Sequence, residues 1–273
     1  MIVNGKMLAQ EIKREVQQSI TKQNLSLRLL VLVQTESLAI QKFVFIKERI
    51  AKELGIAIII KKVKLTASTE EIVALIREYQ HSVNGIVVQL PLSTHVDTEI
   101  VLNAIPQTHD VDVLSKDAFA LFEKGGADVL PPVVGSIKEI LEQNGVMVRD
   151  KYVVIVGNGK LVGIPMTIWF TLQGAHVSIV TEDSNDIESL TREADILVLG
   201  AGHPNLIIPS MIKTGVVILD AGTSEAQGKL AGDADQACAS KAALFTPVPG
   251  GIGPVTVAMI FKNLLVLSRK QVG

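Results

Sequence analysis

The sequence predicts an α/β protein of two domains, each a parallel sheet covered by helices. Three observations carry this. Apolar, β-branched runs alternate with helix-patterned segments along most of the 273 residues. One such run, Lys151-Tyr152-Val153-Val154-Ile155-Val156, leads straight into a glycine loop and then a helix. Aromatic residues are only 4% of a chain that is 48% hydrophobic, so the core must be aliphatic, as in parallel sheets.

Ala9–Ser19 is amphipathic and reads as a helix. Ser26–Val33 is a strand, Ile40–Leu54 a helix, Ile56–Val63 a strand, Ser68–Tyr79 a helix and Gly85–Val88 a strand. That order is the mark of parallel βαβ units. Gln89-Leu90-Pro91-Leu92 breaks it, and Gly125–Pro132 is a loop. Val133–Asn144 is a helix expected to connect the domains. A second set of strands follows at Tyr152–Val156, His176–Val180, Ile196–Leu199, Val216–Leu219 and Ala243–Phe245, with Ile164–Leu172 as the first helix between them. Val255–Leu267 is a last helix, expected to cross back onto the first domain. The expected division is 1–120 plus 255–273 for an N-terminal βαβ catalytic domain and 145–250 for a C-terminal Rossmann-type dinucleotide-binding domain. Residues 121–144 form a linker and connecting helix, and a cleft is expected between the domains.

The totals exclude several classes. A net charge of −2 and the lack of any basic run argue against nucleic-acid binding. Met1–Lys6 has no signal-peptide pattern, and no apolar stretch is expected to span a membrane. Cys238 is the single cysteine, so no intrachain disulfide and no cysteine-based metal site is expected; it reads as a packing residue in a reducing cytoplasm.

Two loops point to ligands. In Gly157-Asn158-Gly159-Lys160-Leu161-Val162-Gly163, Gly157 would permit the tight turn and Gly159 would let a pyrophosphate approach the backbone. The third glycine comes one residue later than in the usual fingerprint, and the loop alone fits a cofactor site and a plain β–α turn equally well. Phe245-Thr246-Pro247-Val248-Pro249-Gly250-Gly251-Ile252-Gly253-Pro254-Val255-Thr256 is rigid and nearly bare of side chains. Pro254 and Thr256 suit the first turn of the helix after it.

With these pieces in order, the chain resembles the bifunctional methylenetetrahydrofolate dehydrogenase / methenyltetrahydrofolate cyclohydrolase family. The resemblance covers nearly the whole chain. It rests on Gly85-Ile86-Val87-Val88-Gln89-Leu90-Pro91-Leu92, Asp110-Val111-Asp112, Asp220-Ala221-Gly222, Gly228-Lys229-Leu230-Ala231-Gly232-Asp233-Ala234-Asp235 and Thr246–Pro254. The family's Tyr-Val-x-x-Lys motif stands here as Phe43-Val44-Phe45-Ile46-Lys47, a spacing that puts Phe43 and Lys47 on one helix face. The resemblance implies that Lys47 is the proton-handling group, lining an open cleft. It implies that Gln89 orients this lysine, that Asp112 binds the pterin and that the Phe43 ring stacks on the aminobenzoyl group. Pro249, Gly250 and Gly251 would also touch the folate. Gly157, Asn158, Gly159, Val162, Gly163, Glu182 and Thr223 would hold a nicotinamide cofactor. On the residues alone, a solvated lysine, a turn amide and a helix cap are the plainer readings of Lys47, Gln89 and Asp112.

The chain departs from the family at Ile40, where a small polar residue is usual, and at Phe43, which lacks the hydroxyl. Val113-Leu114 replaces Gly-Phe or Gly-Leu, and Pro131-Pro132-Val133-Val134 loses a threonine. Each change makes the expected folate pocket more apolar.

The implied reaction is oxidation of 5,10-methylenetetrahydrofolate to the methenyl compound with NADP or NAD, then hydrolysis to 10-formyltetrahydrofolate, with no metal. Bacterial members usually carry Arg-Ser after the first loop glycine, and that arginine pairs with the 2′-phosphate of NADP. Here Asn158-Gly159 stand instead, and Glu182 follows the second strand where an acidic residue accepts a ribose 2′-hydroxyl. The leaning is therefore to NAD, against which Lys160 could reach a phosphate from the same loop. The resemblance further implies a homodimer acting on tetrahydrofolate derivatives. Two other functions fit the sequence: a catalytically weakened folate- or nucleotide-binding relative, and a Rossmann oxidoreductase with a non-folate substrate. Reduction of a nicotinamide cofactor by methylenetetrahydrofolate separates them.

Overall fold

The computed structural model describes residues 1–35, 37–184, 186–226 and 229–271. The chain forms two compact units, one of residues 11–132 and 257–273, the other of residues 1–10 and 133–256.

The unit of residues 11–132 and 257–273 contains most of α1 (Gly5–Gln23), then β1 (Arg28–Val33), α2 (Leu38–Leu54), β2 (Ala57–Lys62), α3 (Thr69–Tyr79) and β3 (Gly85–Gln89). The short helices α4 (Thr98–Asn103) and α5 (Lys116–Glu123) follow. Its sheet has the order β2-β1-β3, all parallel, with Leu30 in register with Ile59 on one side and Ile86 on the other. The central strand is buried from Leu29 to Val33, which explains its unbroken apolar run. Leu30, Leu32, Ile72, Ile76, Ile86 and Val101 form one core. α3 begins with a reciprocal cap: the Glu71 N–H donates to Ser68 Oγ at 3.3 Å and the Ser68 N–H to Glu71 Oε2 at 2.8 Å.

The other unit contains α6 (Pro132–Gln143) from Val133 on, β4 (Tyr152–Val156), α7 (Gly163–Leu172), β5 (His176–Val180), α8 (Ile187–Glu193), β6 (Ile196–Leu199) and β7 (Val217–Asp220). A small antiparallel ribbon, β8 (Ser224–Ala226) with β9 (Lys229–Ala231), precedes β10 (Leu244–Phe245) and the start of α9 (Ile252–Lys270). The main sheet is parallel throughout, in the order β10-β7-β6-β4-β5. The chain thus reverses its direction of winding between β4 and β6. In open α/β sheets ligands bind outside the C-terminal strand ends at such a switch point.

The two α/β domains, one three-stranded and one Rossmann-type, are as the sequence predicts; several details differ. Residues 1–10 pack with the Rossmann-type unit, where the sequence division had placed them with the other. The reason is backbone pairing: Ile2 bridges Phe245, and the Val3 N–H donates to Phe245 O at 2.9 Å. The helix expected as a connector, from Val133, also belongs to that unit. α1 starts four residues before the expected Ala9, because Asn4 Oδ1 accepts the Met7 N–H at 3.2 Å. α9 is long and apolar enough to cross a membrane by length and composition, contrary to expectation, but 67% of its apolar window is buried within the protein. Gly228, one of the family-like residues, lies outside the described residues.

Candidate active site

α2 buries Val44, Ile50, Ala51 and Leu54, and Lys47 falls on the same helix face. A lysine therefore occupies what is by spacing a core position, and it is 7% exposed. This corrects the expectation of a lysine in an open cleft. The buried amine donates to Gln89 Oε1 at 2.6 Å, and Gln89 sits at the C-terminal end of β3. Gln89 Nε2 donates onward to Leu90 O at 3.2 Å, so its amide is fixed with the oxygen towards the lysine. Burial lowers the Lys47 pKa, and the negative charge of Asp112 only partly offsets this.

Asp112 stands in the turn between Asp110 and α5, half-buried. Burial pushes its carboxyl up to about 6 against the opposing pull of Lys47, and the neighbouring Asp110 adds to the rise. The fully buried Asp110 shapes this turn: its Oδ2 accepts the N–H of Leu114 at 2.9 Å and of Ser115 at 2.7 Å. Between them Val113 adopts φ +56°. That is a left-handed conformation which a β-branched residue resists. The resemblance places glycine here, so the departure lies in the backbone as much as in the pocket. Phe43 is one turn before Lys47 and 40% exposed, leaving its ring available to a ligand.

The expected cofactor residues lie at the C-terminal strand ends of the Rossmann-type sheet. Gly157 follows β4 with φ +100°, and a Cβ there would meet Gly200 O at 2.6 Å. A Cβ on Gly163, the first residue of α7, would meet Gly157 O at 2.1 Å. The late third glycine is therefore the one that lets the helix start lie on the loop. Gly159 is exposed with nothing within 4 Å of an added Cβ, so its backbone is open to a ligand. Asn158 is exposed beside it, and Val162 packs against Gly200. The N-terminal turn of α7 presents its positive dipole end to the same loop. These features fit a pyrophosphate.

Glu182 follows β5 with its side chain 92% exposed and its Oε1 at 3.7 Å from His203 Nε2. His203 belongs to the loop after β6, and sequence reasoning passed it over because it lies outside every motif considered. Thr223 is exposed after β7. Two buried carboxylates hold these loops. Asp233 Oδ2 accepts the N–H of Ala201 at 2.7 Å and of Gly202 at 3.0 Å. Asp220 accepts from Gly222, Asp233 and Ala234 at 2.9, 3.2 and 2.9 Å, and burial pushes it up to about 6. Those bonds give a structural account of the Asp220–Gly222 and Asp233 motifs. Pro249, Gly250 and Gly251 lie in this unit too. Gly251 N–H donates to Pro247 O at 2.7 Å, Gly250 has φ +107°, and Gly250 O accepts the Gly5 N–H at 3.0 Å. Lys47, Gln89, Asp112 and Phe43 share the other unit.

Comparison with known proteins agrees with this layout. Residues 3–112 match the family model described as tetrahydrofolate dehydrogenase/cyclohydrolase, catalytic domain, and residues 131–272 match its NAD(P)-binding domain. The chain is similar to the bifunctional protein FolD of Acetivibrio thermocellus, 33% identical over 277 residues, covering 99% of this chain and 97% of that one. Among solved structures it is similar to the bifunctional FolD methylenetetrahydrofolate dehydrogenase/cyclohydrolase of Campylobacter jejuni (TM-score 0.95, 30% identity, 99% of each chain). It is also similar to the Trypanosoma brucei enzyme complexed with NADP and an inhibitor (TM-score 0.95, 27% identity, 100% of this chain and 98% of that one).

Proposed function

The chain belongs to the tetrahydrofolate dehydrogenase/cyclohydrolase family, and from that premise we propose how its own residues carry the two activities. The protein is a methylenetetrahydrofolate dehydrogenase and methenyltetrahydrofolate cyclohydrolase of one-carbon metabolism that uses a nicotinamide cofactor. The observation that carries the assignment is the buried Lys47 amine held by Gln89 at 2.6 Å, with Asp112 charged beside it. Burial lowers the pKa of such an amine, the direction that favours its giving and taking protons in catalysis. In the hydrolysis, Lys47 accepts a proton from the water attacking the methenyl carbon and returns one to the ring nitrogen that departs. Gln89 keeps the amine in place, Asp112 accepts hydrogen bonds from the pterin, and the Phe43 ring stacks on the aminobenzoyl group. In the oxidation the cofactor, when bound, supplies the hydride acceptor. The protein's part there is to position: Gly157, Gly159, Gly163 and the α7 start hold the pyrophosphate, with Asn158 and Val162 framing the loop and Thr223 beyond the end of β7. Folate-dependent reduction of the nicotinamide, measured together with loss of the methenyl chromophore, tests both halves. A protein that binds folate yet catalyses neither step would overturn the assignment.

Phe43 limits the hydrolysis. Phe43→Tyr raises the rate of methenyl hydrolysis where the new hydroxyl finds a partner. An unpaired hydroxyl beside Ile40 costs about 1–3 kcal/mol, so the double variant with Ile40→Ser gains more than the single one. No gain in either would remove the missing hydroxyl from the account.

NAD is the preferred cofactor. The loop after β4 has no arginine at Asn158-Gly159, and the Glu182 carboxylate at the end of β5 suits a ribose 2′-hydroxyl and repels a 2′-phosphate. His203 offsets that charge when protonated. The kcat/KM ratio for NAD over NADP is expected to exceed unity, and Glu182→Ser to lower it by roughly tenfold, the effect of about 1.4 kcal/mol. A wild-type preference for NADP would show this reading of the loop to be wrong.

A further inference from the structure

One buried side chain beside the Asp112 turn has no part in the chemistry above. Asn263 lies in α9, 3% exposed, among Phe261, Leu264 and Leu265. A polar group in such surroundings must be hydrogen-bonded. Asn263 Nδ2 donates twice, to Val111 O at 2.8 Å and to Leu130 O at 2.9 Å. Both acceptors are main-chain carbonyls outside helices and strands. Val111 immediately precedes Asp112, and Val113, at φ +56° and 1% exposed, immediately follows it. The turn therefore contains one residue in a conformation it resists, and something outside Val113 must over-determine it. Asp110 does so from within, through the N–H groups of Leu114 and Ser115. Asn263 does so from the facing helix, at the carbonyl next to Asp112.

We propose that Asn263 is a positioning residue which, by holding the Val111 carbonyl, fixes the strained turn that presents Asp112 to the folate. The proposal rests on the reading of Asp112 as the pterin-binding carboxylate. It assigns a function to a residue in a different helix from Lys47 and 152 residues along the chain from the Val111 carbonyl it holds.

The test is steady-state kinetics of the full-length enzyme with Asn263→Leu, and with Asn263→Ser as the smaller disturbance should the leucine variant fail to fold. Both are made in the wild-type and in the Val113→Gly background. Loss of the hold is expected to lower kcat/KM for methylenetetrahydrofolate by roughly 10- to 100-fold, as misplaced substrate-binding groups do. The loss should fall on the folate KM, with the cofactor KM unchanged. A glycine keeps φ +56° without help, so the effect should shrink in the Val113→Gly background; a double-mutant cycle reads that coupling. A folded variant with a lower melting temperature but a wild-type folate KM would overturn the proposal, and so would equal effects in both backgrounds. Asp112→Asn run in parallel separates the two levels. If it leaves the folate KM unchanged, the reading of Asp112 fails and this proposal with it. If it raises the folate KM while Asn263→Ser does not, only the role of Asn263 fails.

Discussion

Lys47→Met is expected to lower the rate of methenyl hydrolysis by about 100- to 10,000-fold, the usual contribution of a positioned acid–base group. The protein should stay folded. Lys47 lies on the apolar face of α2 with Val44, Ala51 and Leu54, so an unbranched apolar chain of similar length suits the site. Removal of the amine also relieves the desolvation that lowers its pKa. The sign can be checked by melting temperature against pH. A lysine whose folded-state pKa is lowered makes the wild type more stable, relative to the variant, as pH rises towards the usual 10.5. The hydrolysis should also respond to Asp112. Its carboxyl sits at about 6, so pterin binding should weaken as pH falls through that value. A Lys47→Met enzyme with near-normal hydrolysis would remove the lysine from the mechanism.

Gly163→Ala should abolish the dehydrogenase and spare the hydrolysis. A methyl group there would lie 2.1 Å from Gly157 O and 2.8 Å from Asn158 Cα, both backbone atoms. The α7 start must then move off the loop, and overpacking of this kind costs about 1–3 kcal/mol. The expected result is at least about a hundredfold loss in kcat/KM for the cofactor, in line with the effect of misplaced groups on bound geometry. Methenyl hydrolysis should remain within a few-fold, since Lys47, Gln89 and Asp112 belong to the other unit. Gly159→Ala is the matched contrast. Its Cβ would meet nothing within 4 Å, so the melting temperature should hold while the cofactor KM rises. Full dehydrogenase activity in Gly163→Ala would mean that the loop does not hold the cofactor.

The parallel architecture was legible because continuous apolar runs such as Val153–Val156 and Leu29–Val33, bounded by turn residues, suit strands buried on both faces. The glycine loop was legible for the same local reason. The short helices α4 and α5 were not, since one is six and the other eight residues long, below what periodicity resolves. The placement of residues 1–10 was hidden because it depends on pairing with Phe245, far along the chain. Lys47 was visible through its motif, but its burial was not, because only a helix's packing shows which face is covered. Asn263 carried no signal at all, and Val113 only its departure from the family's glycine, which did not reveal the left-handed backbone. A lone asparagine in an apolar helix and a valine after an aspartate look ordinary until their hydrogen bonds and dihedrals are seen.

The division of the chain has a consequence for synthesis. Residues 1–10 finish their packing only against a unit that runs to residue 256, and residues 11–132 are completed only by 257–273. On the ribosome, neither unit can close when its first strands emerge. The sheet face at Leu29 and Gly85, against which Leu264 of α9 lies, must wait for α9 to be translated, holding apolar, half-assembled parallel sheet exposed meanwhile. Chaperone protection of the nascent chain, and vulnerability to truncation anywhere within α9, follow from that interleaving.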